Sequence, residues 1–253
     1  SKNIQYKQRN ILVWNEVSPY YHKRWAREEV GPFNVTNELI KLSKIKSGDC
    51  VLDLACGTGL VTKKITRKVG KNGIIYAIDT SKTAINIAKK WVGMKENLHF
   101  IIADAETIQF NTKFDAITCQ YALFFFPNAQ KVLKNLKKIL KKNGMITMSV
   151  HSKTNVPYFD SILNSVRKFI PDYLPKYPEL DRFGTSKSFK EEFAKAGYQK
   201  IVVKKLLFHY SPGSFSDYWN NYKKYLSKPL KQKFNKLSRY QKSNLREIVK
   251  DNT

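Results

Sequence analysis

At 253 residues the chain is long enough to bury a full core, and its hydrophobic content of 42% is that of an ordinary globular protein. No apolar run nears the ~20 residues of a membrane-spanning helix, and the polar opening stretch 1–10 lacks a signal-peptide core. The formal charge of +26 comes from 38 lysines and 8 arginines against 20 acidic residues. Those lysines are spread over the whole chain, whereas nucleic-acid readers cluster charge and lean on arginine. The excess therefore reads first as solvated surface, with an acidic ligand, an anionic membrane surface and RNA left as alternatives. Cys50, Cys56 and Cys119 fall in or beside apolar runs and offer no metal-ligand spacing. They suit a reducing compartment, the cytoplasm.

The first notable stretch, residues 14–25, holds Trp14, Tyr20, Tyr21 and Trp25 ahead of any strand. It is free to act as a flap over a site, or its rings can simply staple it to the core. Apolar positions 35, 39, 40 and 42 predict a helix stopped by Ser47-Gly48. Residues 51–54 read as a short buried strand. A turn, Ala55-Cys56-Gly57-Thr58-Gly59, follows, and Leu60, Val61 and Ile65 open an amphipathic helix. A strand, a glycine turn and a helix in that order point to a nucleotide-like ligand at the carboxyl end of a parallel sheet. The two-glycine turn is not the G-x-G-x-x-G of dinucleotide dehydrogenases.

Asn72-Gly73 marks a turn before a strand at 74–78 that ends in Asp79, and Thr80-Ser81 can cap a helix over 83–92. A third strand, 99–102, leads to Asp104-Ala105, and a fourth, 114–118, leads to Gln120 and an aromatic run ending in Phe126-Pro127-Asn128. Asn128 can cap a helix over 129–142, which Asn143-Gly144 ends. A fifth strand spans 145–150, with His151 at its carboxyl end.

The acid Asp53 before the turn, Asp79 after the second strand and Asp104 after the third resemble the motifs of class I S-adenosylmethionine-dependent methyltransferases. The run to Phe126-Pro127-Asn128 resembles the ubiquinone/menaquinone biosynthesis-type members. The likeness covers about residues 46–150 and departs at Ala55, where a glycine is usual, and at Asn128, where an aspartate is usual. It implies S-adenosylmethionine as cofactor. Asp53, Ala55, Cys56, Gly57, Thr58 and Gly59 would form the turn around it, Asp79 with Thr80 would take the ribose hydroxyls, and Asp104 with Ala105 the adenine. Gln120, and Tyr21 and Trp25 from the flap, would complete the site. No metal is implied.

Beyond 150 the likeness fades. Phe159, Ile162, Leu163, Val166 and Phe169 make one helical face, and a Pro171…Pro175…Pro178 loop follows, so 151–183 reads as a helical cap insertion. A helix at 189–196 and strands at 200–203 and 205–209, the last antiparallel, complete the core. Phe215, Tyr218, Trp219, Tyr222, Tyr225 and Leu226 form one tail helix, and Leu230, Phe234 and Leu237 a second. The expected fold is a single Rossmann-like α/β domain: a seven-stranded, mostly parallel sheet with helices on both faces. Its parts are a flap (1–33), a core (34–150 and 184–210), a cap (151–183) and a basic helical tail (211–253).

Methyl transfer from a sulfonium needs mainly position and orientation, so the lack of a nucleophile or metal cluster is no objection. His151, ionisable near neutrality and at the crevice, is the first candidate for a general base, ahead of His209, Tyr20 and Tyr21. The aromatic run favours a small apolar or aromatic acceptor, methylated at O, N or C. The alternatives are an RNA methyltransferase using the lysines, and a non-catalytic module that binds the cofactor.

Overall fold

The computed structural model describes residues 1–152, 157–171, 182–207, 211, 213–224 and 228–252, without the side chains of 32, 157–161, 163 and 228–230. Within them, five apolar runs become parallel strands: β1 (Cys50–Leu54), β2 (Ile74–Asp79), β3 (Leu98–Ile102), β4 (Phe114–Gln120) and β5 (Leu140–Ser149). Their order across the sheet is β3-β2-β1-β4-β5. β1 and β4 are adjacent, with Asp53 opposite Thr118, and the chain winds outward from this pair in both directions. The carboxyl ends of β1 and β4 therefore border the switch point at which ligands bind in open α/β sheets.

Near-continuous apolar strands need cover on both faces, and two clusters supply it. One gathers Val51, Ile65, Val69, Ile75 and Ile85 beneath α3 (Leu60–Val69) and α4 (Lys82–Val92). The other gathers Leu52, Leu54, Ile117, Val132 and Leu136 beneath α5 (Ala129–Ile139). Ser81 caps α4, its side chain accepting from the Ala84 N–H, and Asn128 caps α5 in the same way through the Lys131 N–H. A further helix (Ser186–Lys195) packs Phe193 beside Leu133 and Phe183.

Residue contacts fall into two compact units, 1–152 with 180–209, and 153–179 with 210–253. The second is helical. Its core gathers Ile162, Val166, Trp219, Phe234, Leu245 and Val249 from four helices, Pro157–Phe169, Phe215–Lys224, Lys228–Asn235 and Arg239–Asp251, with Ile170 and Leu237 just past the ends of the first and third. The last was not expected from the sequence, although Ser238 and Gln241 form the capping box that announces it.

Two expectations need correction. The sheet has five strands among the described residues, all parallel, in place of seven with an antiparallel last strand. Residues 201–207 carry no strand: Ile201 packs beside Phe193, but Val202 and Leu207 are 81% and 91% exposed, so these apolar residues have no second layer to bury against. Secondly, α5 stops at Ile139 and β5 starts at Leu140, so Asn143-Gly144 is no helix cap. A Cβ at Gly144 would stand 2.9 Å from the Phe114 carbonyl oxygen, so glycine is there to let β5 approach β4 at a register shift. The amino-terminal flap is largely one long helix, α1 (Lys2–Tyr21), which passes through Pro19 and then widens into a π-helical turn, His22–Ala26. Of the residues expected elsewhere, the side chains of Phe159, Leu163 and Leu230, and all of Pro175, Pro178, His209, Tyr225 and Leu226, lie outside the described residues.

Candidate active site

The turn after β1 is built on left-handed backbone. Ala55, Gly57 and Gly59 have φ of 53°, 54° and 94°. Glycine is required at 59 on a second count, because a Cβ there would lie 2.8 Å from Val92 and 3.0 Å from Ala88, where α3 meets α4. Ala55 holds its φ at a cost of about 1 kcal/mol. Its presence where glycine is usual is thus a strained departure, not only a conservative one.

Asp53 lies beneath this turn, 1% exposed. Thr62 donates to one carboxylate oxygen at 2.6 Å and Thr118 to the other at 2.8 Å, tying β1 to α3 and β4. Burial lifts its pKa to about 6 against the pull of both threonines. Asp79, at the end of β2, accepts from the Gly57 N–H and the Ser81 N–H, each at 2.8 Å. Burial again raises its pKa, and the Ser81, Gly57 and Thr80 N–H groups oppose it. Asp104, after β3, accepts from the Glu106 N–H at 2.9 Å and from Lys7 at 2.7 Å. Lys7 also reaches Glu106 at 2.6 Å, and Glu106 accepts from the Asn128 N–H at 2.8 Å. Burial works against the Lys7 charge, but the two carboxylates outweigh it and raise its pKa.

A cleft of about 970 Å³, counting its open mouth, runs over the carboxyl ends of the strands. Its floor includes Ala55, Gly57, Thr58, Asp79, Thr80, Asp104, Ala105 and Gln120. Its roof is one stripe of α1: Lys7, Asn10, Ile11, Trp14, Ser18 and Tyr21. That spacing of three and four residues is one face of a helix. Asn15 fastens α1 to the start of α4, accepting from the Ser81 hydroxyl at 2.8 Å and the Thr83 N–H at 3.2 Å.

At the β4 end the cleft is walled by rings. Trp14 meets Phe125 and Tyr21 edge-on at 5.8 and 5.2 Å, Tyr21 meets Phe33, and Phe33 meets Tyr121. Tyr121 stacks on His151 at 4.5 Å and 20°. Tyr121 holds a left-handed φ of 53°, an outlier for an aromatic residue and of the sort found at functional sites. Burial pushes its phenol pKa up to about 12 and pulls the His151 imidazole below its usual value. Two buried acceptors of cleft-lining residues, Asn10 Oδ1 and Gln120 Oε1, have no hydrogen-bond partner among the described residues. Such groups in a native fold call for an explanation, and a ligand provides one.

Four expected residues stand apart from the cleft lining: Asp53 and Cys56 are buried under the turn, Gly59 is at the α3–α4 contact, and Trp25 packs in a cluster with Ala26, Phe33 and Leu60. His151 reaches the cleft only through its stack on Tyr121. Sequence reading missed Lys7 and Asn10, which the 7-10-11-14-18-21 stripe could have exposed. It also missed His22, whose Nδ1 lies 2.9 Å from the Thr58 hydroxyl. Among the described residues no cluster of side chains could hold a metal ion, and no helix is long and apolar enough to cross a membrane.

The methyltransferase-domain family pattern matches residues 45–197. The chain belongs to that family. It is a class I S-adenosylmethionine-dependent methyltransferase, and it resembles the ubiquinone/menaquinone-type enzymes. It is 26% identical over 203 residues to a demethylmenaquinone methyltransferase of Staphylococcus haemolyticus, covering 75% of this chain and 81% of that one. It is 27% identical over 208 residues to a ubiquinone/menaquinone biosynthesis C-methyltransferase of Hydrogenovibrio crunogenus, covering 76% and 78%. A putative methyltransferase from Bacillus halodurans shares the fold with a TM-score of 0.56 at 21% identity, over 84% of this chain and 82% of that one.

Proposed function

We propose that this methyltransferase places the methyl group of S-adenosylmethionine on a carbon of a small aromatic acceptor of the quinol kind. The observation that carries the acceptor class is the wall of rings at the β4 end of the cleft, Trp14, Tyr21, Phe125 and Tyr121, backed by His151. Flat aromatic acceptors stack on such a wall, and the names of the relatives point the same way.

In this reading the cleft suits the cofactor by its donor set. Asp79 retains lone pairs for the ribose hydroxyls, Asp104 with Ala105 faces the adenine, and the orphaned Gln120 Oε1 accepts from the cofactor's ammonium. Thr58 and Gly57 line its amino-acid end, and Tyr21 closes over it. Asp53 and Cys56 hold the turn from below. The cofactor, when bound, supplies a methyl group already activated on sulfur. The chain then excludes water under α1 and orients the acceptor against the rings. His151, behind Tyr121 and with its pKa lowered by burial, is the candidate for the proton the acceptor releases. We place the protein in the cytoplasm on its three free thiols.

The test is transfer of isotopically labelled methyl from S-adenosylmethionine to a short-chain demethylated naphthoquinol, to a phenol and to RNA, with the product's bond located by NMR. Label on a ring carbon of the quinol is expected. Label on RNA with none on the quinol would refute the reading.

A further inference from the structure

The structure assigns Asn10 a role no motif suggests: we infer that its amide reads the edge of the cofactor's adenine, beside Asp104. The inference rests on the reading of the Asp104 end as the adenine end. Lys7 joins α1 to Asp104 at 2.7 Å, which sets this turn of the helix over that end of the cleft. Asn10 is three residues on, on the same helical face, and lines the same cleft. Its Oδ1 is buried and has no partner among the described residues. α1 satisfies its own backbone, so this acceptor is not needed for folding, and burying it unpaired opposes folding.

The chemistry of Asp104 leaves work to be done. Its carboxylate can only accept, so beside the bonds from Lys7 and the Glu106 N–H it can take one hydrogen of an amino group but can give nothing to a ring nitrogen. An adenine edge presents an amino donor beside a ring-nitrogen acceptor. A carboxamide matches that pair, its oxygen accepting from the amino group and its N–H₂ donating to the ring nitrogen. Ile11, next along the stripe, offers an apolar surface for the ring. Asn10 therefore distinguishes adenine from a base with an oxo group at the same place, where acceptor would face acceptor.

The experiment is calorimetric binding of S-adenosylhomocysteine and S-inosylhomocysteine, whose 6-amino group is replaced by oxygen, to the full chain and to Asn10→Ala and Asn10→Ser. Thermal melts without ligand check folding, and alanine favours a helix interior. In both variants the adenosyl ligand should weaken about tenfold and the inosyl ligand less than twofold, shrinking the preference of the parent protein. Equal weakening of both ligands, or no change in either, overturns the role of Asn10 and leaves the cofactor site standing. If the parent protein binds neither ligand, the site reading itself fails, and this inference with it.

Discussion

Asp53 offers the most quantitative test. Its folded-state pKa of about 6 stands above the ordinary aspartate value of 3.8 because burial outweighs the two threonine hydroxyls. A raised pKa means the folded chain binds the proton more tightly than the unfolded one. Stability is therefore greatest below the unfolded pKa and falls as pH rises through the folded one. About two pKa units correspond to roughly 3 kcal/mol in all, of which about 2 kcal/mol falls between pH 4.5 and 7. Asp53→Asn cannot ionise, so it loses this slope while keeping the shape of the side chain. Urea denaturation of both proteins across that pH range gives the stability difference at each pH. Subtraction removes the titrating groups that do not sense Asp53; Asp79, whose charge helps raise the Asp53 pKa, contributes to the difference. The difference should change by about 2 kcal/mol in favour of the variant as pH rises. Parallel curves would mean that Asp53 titrates normally and that the threonine pair, not desolvation, sets its state.

Gly59→Ala should cost about 2–4 kcal/mol in the same assay, since it combines φ of 94° with a Cβ 2.8 Å from Val92; a loss under 1 kcal/mol would show that α3 and α4 separate easily. Asp79→Asn should weaken S-adenosylhomocysteine binding by about 2 kcal/mol or more, through loss of charge-assisted contacts, and calorimetry reads it directly. An unchanged affinity would remove the ribose assignment. For His151→Asn the expectation is a kcat about 10²-fold lower. Because burial lowers the His151 pKa, the parent's rate should fall only on the acid side of 6.5, and the variant should lack that limb. A limb retained in the variant would assign it to another group.

Strand and helix positions in the first half were legible because local physics sets them. Alternating or continuous apolar runs bounded by Gly73, Ser81 and Asn128 need only their own side chains and caps to define an element. The carboxylates of Asp79 and Asp104 were legible as well, since a residue directly after a parallel strand must emerge at the sheet's carboxyl edge. Two elements misled. Residues 201–207 hold two short apolar runs that read as strands, but strand formation needs a partner edge and a layer to bury against, and neither is local information. Asn143-Gly144 looks like a helix stop, yet the close approach of Leu140 and Phe114 decides its use.

Sequence alone thus determined the order of the β-α units, the glycine turn, and which acids sit at the strand ends, because these follow from chain-neighbour chemistry and from spacing. Tertiary structure alone decided that α1 folds back over the strand ends, that Lys7 meets Asp104 and Glu106 some hundred residues away, and that Asn10 and Gln120 line a cleft with oxygens unsatisfied among the described residues. It also decided that Asp53 is a buried tie beneath the turn, facing away from the cleft. Such pairings depend on the packing of segments distant in the chain, and no local periodicity encodes a contact whose partner lies in another element.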